Sequence, residues 1–173
     1  MKVLIVVDMQ HDFVDGALGS PAAQAIVPHV AAKIESYRKN GDFVLFTRDT
    51  HGENYLQTQE GRNLPVPHCI QGTQGWQILE QLHRDHAPVV DKVTFGSSLL
   101  PEVLEQIFSS RPMDSIELIG LCTDICVISN AMVLKAFFPE VPILVDSACC
   151  AGVTPESHAN ALEAMKVCQI QVL

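Results

Sequence analysis

Val3-Leu4-Ile5-Val6-Val7-Asp8 is the stretch that decides the fold. An unbroken aliphatic run, with no polar alternation, makes a strand buried on both faces, and such strands belong to parallel sheets covered by helices. Further short apolar runs stand at residues 42–47, 88–90, 115–119, 141–145 and 169–173. Helical patterns at 22–39, 99–109, 124–138 and 155–167 separate them; in the first, Ala23, Ile26, Val27, Val30 and Ile34 recur at spacings of three and four. Strands alternating with helices predict an α/β protein with a parallel sheet and helices on both faces.

The 173 residues suit one domain, expected over 1–173. Hydrophobic residues at 47% supply a core covered on two sides, and 18% charged residues fit a compact enzyme. With 11 basic and 20 acidic residues the formal charge is −9, which repels phosphate backbones and anionic membranes. Nucleic acid and membrane are therefore not expected partners. The apolar run that begins the chain is too short for a signal-peptide core or a membrane span. The expected compartment is the cytoplasm, where the six cysteines stay reduced; none of them forms a Cys-x-x-Cys pair.

Reactive residues gather at strand ends. Asp8 ends the first run, Asp49 follows the second, Lys92 the third, and Gly120 closes the fourth before Cys122 and Cys126. Open α/β sheets bind ligands beyond the carboxyl ends of their strands, where the strand order reverses. Gly120-Leu121-Cys122-Thr123-Asp124-Ile125-Cys126-Val127 leads from a strand into a helix that Thr123 or Asp124 is suited to cap. Cys126 then sits in the first helical turn, where the dipole favours a thiolate and free N–H groups can hold an oxyanion. The competing reading is a small buried hydrophobe. Asp8, after a fully apolar strand, is a candidate general base or a cap; Lys92 is a charge stabiliser or a solvated lysine. His83, His86 and His158 read as solvated, and Cys149-Cys150, after the fifth run, as packing residues.

Asp8-Met9-Gln10-x-Asp12-Phe13, Lys92 and Gly120-x-x-Thr123-Asp124-x-Cys126-Val127 together resemble the isochorismatase-like cysteine hydrolases, in the family's order and across essentially the whole chain. The resemblance implies a Rossmann-like, three-layer α/β/α sandwich with a six-stranded, mainly parallel sheet. It assigns a catalytic triad to Asp8, Lys92 and Cys126. It also implies a cis peptide at Leu121–Cys122, with the backbone N–H groups of Cys122 and Cys126 as the oxyanion hole.

Residues 49–80 are rich in Gly, Asn, Gln and Pro, and so long a connection is usually functional. They hold Asp49-x-His51, Glu60 and His68, a mixed oxygen and nitrogen set that suits zinc, iron or manganese; by themselves these are also ordinary loop residues. Within the resemblance they match the nicotinamidase (pyrazinamidase) branch, which carries a metal on an Asp-x-His pair and a later His. Asp49, His51 and His68 are the implied ligands, Glu60 a possible fourth, and zinc the foremost ion. Gly72-Thr73 and Gly75-Trp76 also look like that branch. Many of its members have an aromatic residue where Thr50 stands and a second histidine where Gly52-Glu53-Asn54 follows, which leaves the fourth ligand open. The implied activity is hydrolysis of nicotinamide to nicotinate and ammonia, a step of NAD salvage, with Phe13, Leu18 and Phe95 as ring contacts. Another amidase or an isochorismatase on the same fold is the alternative, and a non-catalytic binding or redox-sensing protein a third. A homo-oligomer is compatible with the family.

Overall fold

The first strand, β1 (Lys2–Val7), is fully buried from Val3 onward. It lies inside a six-stranded sheet of order β3-β2-β1-β4-β5-β6. The other strands are β2 (Phe43–Asp49), β3 (Val89–Lys92), β4 (Ser115–Leu121), β5 (Ile143–Ala151) and β6 (Gln171–Val172). Every pairing is parallel, so the sheet expected to be mainly parallel is parallel throughout. The computed structural model describes every residue of the chain except 83, so the solvated reading of His83 lies outside the described residues.

Alternate residues of β1 build two cores. Val3, Ile5 and Val7 pack with Leu100 and Leu104 of α4 (Leu99–Ile107), Ala131 and Leu134 of α5 (Ile128–Phe137) and Met165 of α6 (Pro155–Val167). Leu4 and Val6 pack on the other face against Ile26, Val30 and Ile34 of the long helix α2 (Pro21–Lys39), which follows the single turn α1 (His11–Val14). The result is the expected three layers. Among the described residues no helix is long and apolar enough to cross a membrane.

Several boundaries differ from the sequence reading. Asp49 and Lys92 do not follow their strands but end them, paired with each other in register. The preceding register partners, Arg48 and Asp91, form an ion pair at 2.7 Å. Cys149 and Cys150 lie within β5 instead of after it: a register shift between Leu118 and Gly120 lets β5 continue to Ala151. Both are buried free thiols, as packing residues should be.

The order of strands reverses between β1 and β4. There the two backbones come unusually close. Gly120 has φ +115°, and a Cβ on it would stand 2.2 Å from the Val7 carbonyl oxygen. Only glycine fits, and its fit brings the end of β4 beside Asp8. Gly120→Ala is therefore expected to destabilise folding by about 3 kcal/mol or more, the sum of backbone strain and overpacking. Equilibrium urea unfolding measures it, and a loss below about 1 kcal/mol would contradict the close approach.

Candidate active site

Asp8 leaves β1 in the left-handed region, at φ +47°, a conformation that aspartate tolerates better than most residues. Its side chain is fully buried. The Thr47 hydroxyl donates to Asp8 Oδ1 at 2.7 Å, and the Asp8 N–H donates to the same hydroxyl at 3.3 Å. Burial raises the Asp8 carboxyl above its ordinary value, and the neighbouring Lys92 ammonium opposes that rise only in part.

Lys92 projects from the end of β3 into the same space. Its Nζ lies 2.7 Å from Asp8 Oδ2, 3.0 Å from Asp49 Oδ1, 3.1 Å from the Thr94 carbonyl and 3.4 Å from Cys126 Sγ. Burial alone would lower its pKa, but Asp8, Cys126 and Asp49 together push it up, so it stays charged. The solvated reading of Lys92 does not hold.

Cys126 belongs to a π-helical turn (Thr123–Val127) ahead of α5, not to the first turn of an α-helix. The Ile125 and Val127 N–H groups both donate to the Cys122 carbonyl, at 3.1 and 3.0 Å. The Leu121–Cys122 peptide is cis. Neither Thr123 nor Asp124 caps the turn, because α6 offers both of them other partners. Asp124 accepts from the Val153 N–H and the Ser157 hydroxyl, and Thr123 Oγ1 bonds His158 Nδ1 at 2.8 Å. His158 is thus half-buried against the turn, which corrects its reading as a solvated residue; His86 is exposed as read.

The electrostatics also depart from expectation. Burial pushes the Cys126 thiol well above its ordinary value, the Asp8 charge adds to this, and Lys92 offsets only part. Burial and Asp8 thus favour the protonated sulfur over the thiolate. Cys122 is likewise pushed up, to about 12, chiefly by burial, so it is a thiol near neutral pH.

Asp49 links this group to a second one. While Oδ1 meets Lys92, Oδ2 lies 3.0 Å from His51 Nε2 and 3.8 Å from His68 Nε2. Glu60 Oε1 completes the set, 3.5 Å from His51 Nε2 and 3.8 Å from His68 Nε2. His51 hydrogen-bonds through its backbone to Cys69 and Gln71, which draws the segment carrying His68 alongside it. His68 Nδ1 donates to the Val66 carbonyl at 2.8 Å, and that leaves its Nε2 bare as an acceptor.

The chemistry of this set fits a divalent cation. One donor atom from each of Asp49, His51, Glu60 and His68 lies within 4.8 Å of all the others. Donors about 2.0–2.2 Å from a shared ion stand roughly 3–4.4 Å apart, and the four carboxylate–imidazole distances, 3.0–3.8 Å, fall in that range. The buried His51 Nε2 has no hydrogen-bond partner among the described residues, although Asp49 Oδ2 lies 3.0 Å away. An unpaired buried nitrogen amid two carboxylates is an orphan that a metal ion would satisfy.

Both groups open into one cavity of about 870 Å³. Asp49, Glu60, His68, Cys122 and Cys126 line its polar part, and Phe13, Leu18 and Phe95 line it too. Gln10, Asp12, Thr47 and Asn130 hold this arrangement and went unassigned in the sequence. Gln10 donates to the Asp49 carbonyl at 2.9 Å and accepts from its N–H at 2.7 Å. Asp12 receives the Cys69 N–H at 2.7 Å, anchoring the His68 segment. Asn130 donates to the Cys126 and Phe95 carbonyls and accepts from the Ser97 N–H, which straps the loop after β3 to the cysteine turn. Gln10 and Asp12 stand in the opening motif, and Asn130 lies one helical turn after Cys126 among apolar neighbours; those were the available signals.

Comparison with known proteins agrees with this geometry. The isochorismatase domain family matches residues 2–173. An isochorismatase family protein of Bacillus subtilis, PncA, is 32% identical over 93% of this chain and 92% of its own. The nicotinamidase/pyrazinamidase of Mycobacterium tuberculosis is 26% identical over 100% of this chain and 98% of its own. Among solved structures, the pyrazinamidase of Pyrococcus horikoshii in complex with zinc superposes with a TM-score of 0.86. It is 28% identical, over 99% of this chain and 98% of that one.

Zinc added to metal-free protein at a hundredfold excess over its Kd should stabilise the fold by about 2.7 kcal/mol. For a chain of this size that is a rise in Tm of roughly 5–10 °C. His68→Ala should lose most of the rise. Thermal unfolding with and without chelator tests this, and a zinc effect equal in both proteins would contradict the four-residue site.

Proposed function

The chain belongs to the isochorismatase domain family, and we propose that within it the protein is a metal-assisted nicotinamidase that uses Cys126 as its nucleophile. Family and relatives make it a hydrolase acting on an amide. The observation that carries the finer reading is the contact geometry of one carboxylate. Asp49 touches Lys92 with one oxygen and the His51–Glu60–His68 group with the other, so cysteine and metal-type ligands share one cavity.

A divalent ion held by Asp49, His51, His68 and Glu60, zinc foremost with iron and manganese as alternatives, would bind the pyridine nitrogen and fix the ring. The chain's own groups do the rest. The Cys126 proton passes to Asp8, whose raised pKa makes it a better base than an ordinary carboxylate, as the sulfur bonds to the carboxamide carbon. Lys92 stabilises the negative charge wherever it resides, on Asp8 before transfer and on the sulfur after it. The backbone N–H groups of Cys122 and Cys126 receive the carbonyl oxygen as it gains charge. Asp8 returns the proton to the departing ammonia, and a thioester remains. Water, deprotonated by Asp8, cleaves the thioester to nicotinate and restores the thiol. Such a reaction belongs to the salvage of pyridine nucleotides.

Cys126→Ala should lower kcat for ammonia release from nicotinamide by on the order of 10⁴ or more while leaving the fold intact. Cys122→Ala should keep most of the activity, because only its backbone takes part. The reverse pattern would move the nucleophile to Cys122. Verified removal of metal should weaken turnover, and undiminished activity would refute the metal's role.

The pH profile tests the base. Activity needs Asp8 deprotonated, so kcat/KM should fall as pH drops through the Asp8 pKa, above the ordinary 3.8. The Thr47 hydroxyl favours the charged carboxylate. Thr47→Val should therefore raise that pKa further and move the acid limb to higher pH. An unmoved or lowered limb would exclude Asp8 as the group titrating there.

A further inference from the structure

The cavity is larger than the proposed substrate needs. Its volume of about 870 Å³ stands near the top of the roughly 300–1,000 Å³ range that holds drug-sized ligands, whereas nicotinamide is one pyridine ring and its amide. The surplus is apolar. Leu64, Val93, Phe95 and Val153 line the same cavity, yet remain 38%, 74%, 45% and 64% exposed. Four large apolar side chains left in water at one mouth form a patch of the kind that marks a binding groove. They come from three separate connections, after α3 (Gln59–Asn63), after β3 and after β5, and so converge only in the folded chain.

Both anchors for a pyridine carboxamide lie at the polar end: Cys126 for the amide carbon, and the Asp49, His51 and His68 side for the ring nitrogen. The ring carbon meta to both of these groups points away from both anchors. A substituent there clears both anchors, and the room left for it is the part of the cavity lined by Leu64, Val93, Phe95 and Val153. Polar side chains, Ser20, Gln59, Asn63 and Thr94, line the cavity as well, so the gain comes from the four apolar ones alone.

Resting on the nicotinamidase reading, we propose that the enzyme's substrate class extends to nicotinamides bearing an apolar substituent at ring position 5, seated on Leu64, Val93, Phe95 and Val153. The chemistry at Cys126 is unchanged; the apolar mouth adds binding energy from burial. A phenyl group buried there is worth about a tenfold gain in kcat/KM, the lower end of what burying one large apolar side chain returns.

The test compares nicotinamide and 5-phenylnicotinamide on the metal-loaded enzyme. The expected result is a kcat/KM about tenfold higher for the phenyl derivative, with that ratio falling by about the same factor in the double variant Leu64→Ser, Val153→Ser. Calorimetry on the Cys126→Ala protein supplies a readout independent of turnover: 5-phenylnicotinamide should bind with a more negative heat-capacity change than nicotinamide. Hydrolysis of nicotinamide with exclusion of the phenyl derivative overturns the inference and leaves the nicotinamidase reading standing; sedimentation as a dimer would then assign the apolar rim to a subunit contact. Hydrolysis of the phenyl derivative alone upholds the inference and removes nicotinamide as the substrate. Hydrolysis of neither overturns both.

Discussion

A single buried ammonium, Lys92, sets the terms for everything around it. It is 3% exposed, and an uncompensated charge at that depth is not tolerated. Asp8 and Asp49 supply the compensation from two neighbouring strands, at 2.7 and 3.0 Å. Removing one partner of such a buried set costs about 3–5 kcal/mol, because the remaining charge is left unpaired. The three residues therefore hold one another in place, and the cysteine beside them inherits their geometry. Asp49 carries the constraint onward, since its second oxygen can face the imidazoles only while the first is held by Lys92.

The backbone enforces this meeting. A parallel sheet delivers all its carboxyl ends to one edge, and the reversal between β1 and β4 opens a gap there for side chains. Asp49 and Lys92 face each other because they are register partners at the ends of β2 and β3. Gln10 then fixes the Asp49 backbone from both sides, and Gly120 lets the cysteine turn approach Asp8. Neither Gln10 nor Gly120 touches the reacting atoms in the proposed mechanism. They decide where those atoms stand.

The same burial shapes the chemistry. Lysine next to cysteine would by itself favour a thiolate, yet here the sulfur is also desolvated and faces the Asp8 carboxylate, and the thiol wins. In the proposed mechanism proton transfer therefore waits for an electrophile, and Asp8, with its own pKa raised, is matched to receive the proton. The π-helical turn contributes by centring its hydrogen bonds on the Cys122 carbonyl. Its side chains are held by α6 instead of by the turn itself, through Asp124 with Ser157 and Thr123 with His158.

Local sequence determined the class of fold and which chemically capable groups stand near the strand ends. Val3–Val7 could only be an interior strand, because five aliphatic residues in a row have no polar face to show to water. The helical periodicities and the placing of Asp8, Asp49, Lys92 and Cys126 at strand ends follow from the same local patterns. Asp49, His51, Glu60 and His68 were legible as a donor set but not as a cluster, since what joins them is the backbone pairing of His51 with the segment after His68 and the anchoring of Cys69 by Asp12. Tertiary structure alone decided the partners of Gln10, Asn130 and His158, the length of β5, the protonation of Cys126 and the apolar mouth of the cavity. The physical reason is common to all of them. Hydrogen-bond partners, desolvation and the filling of space depend on residues distant in the chain, whereas a strand or a helix is specified by its neighbours.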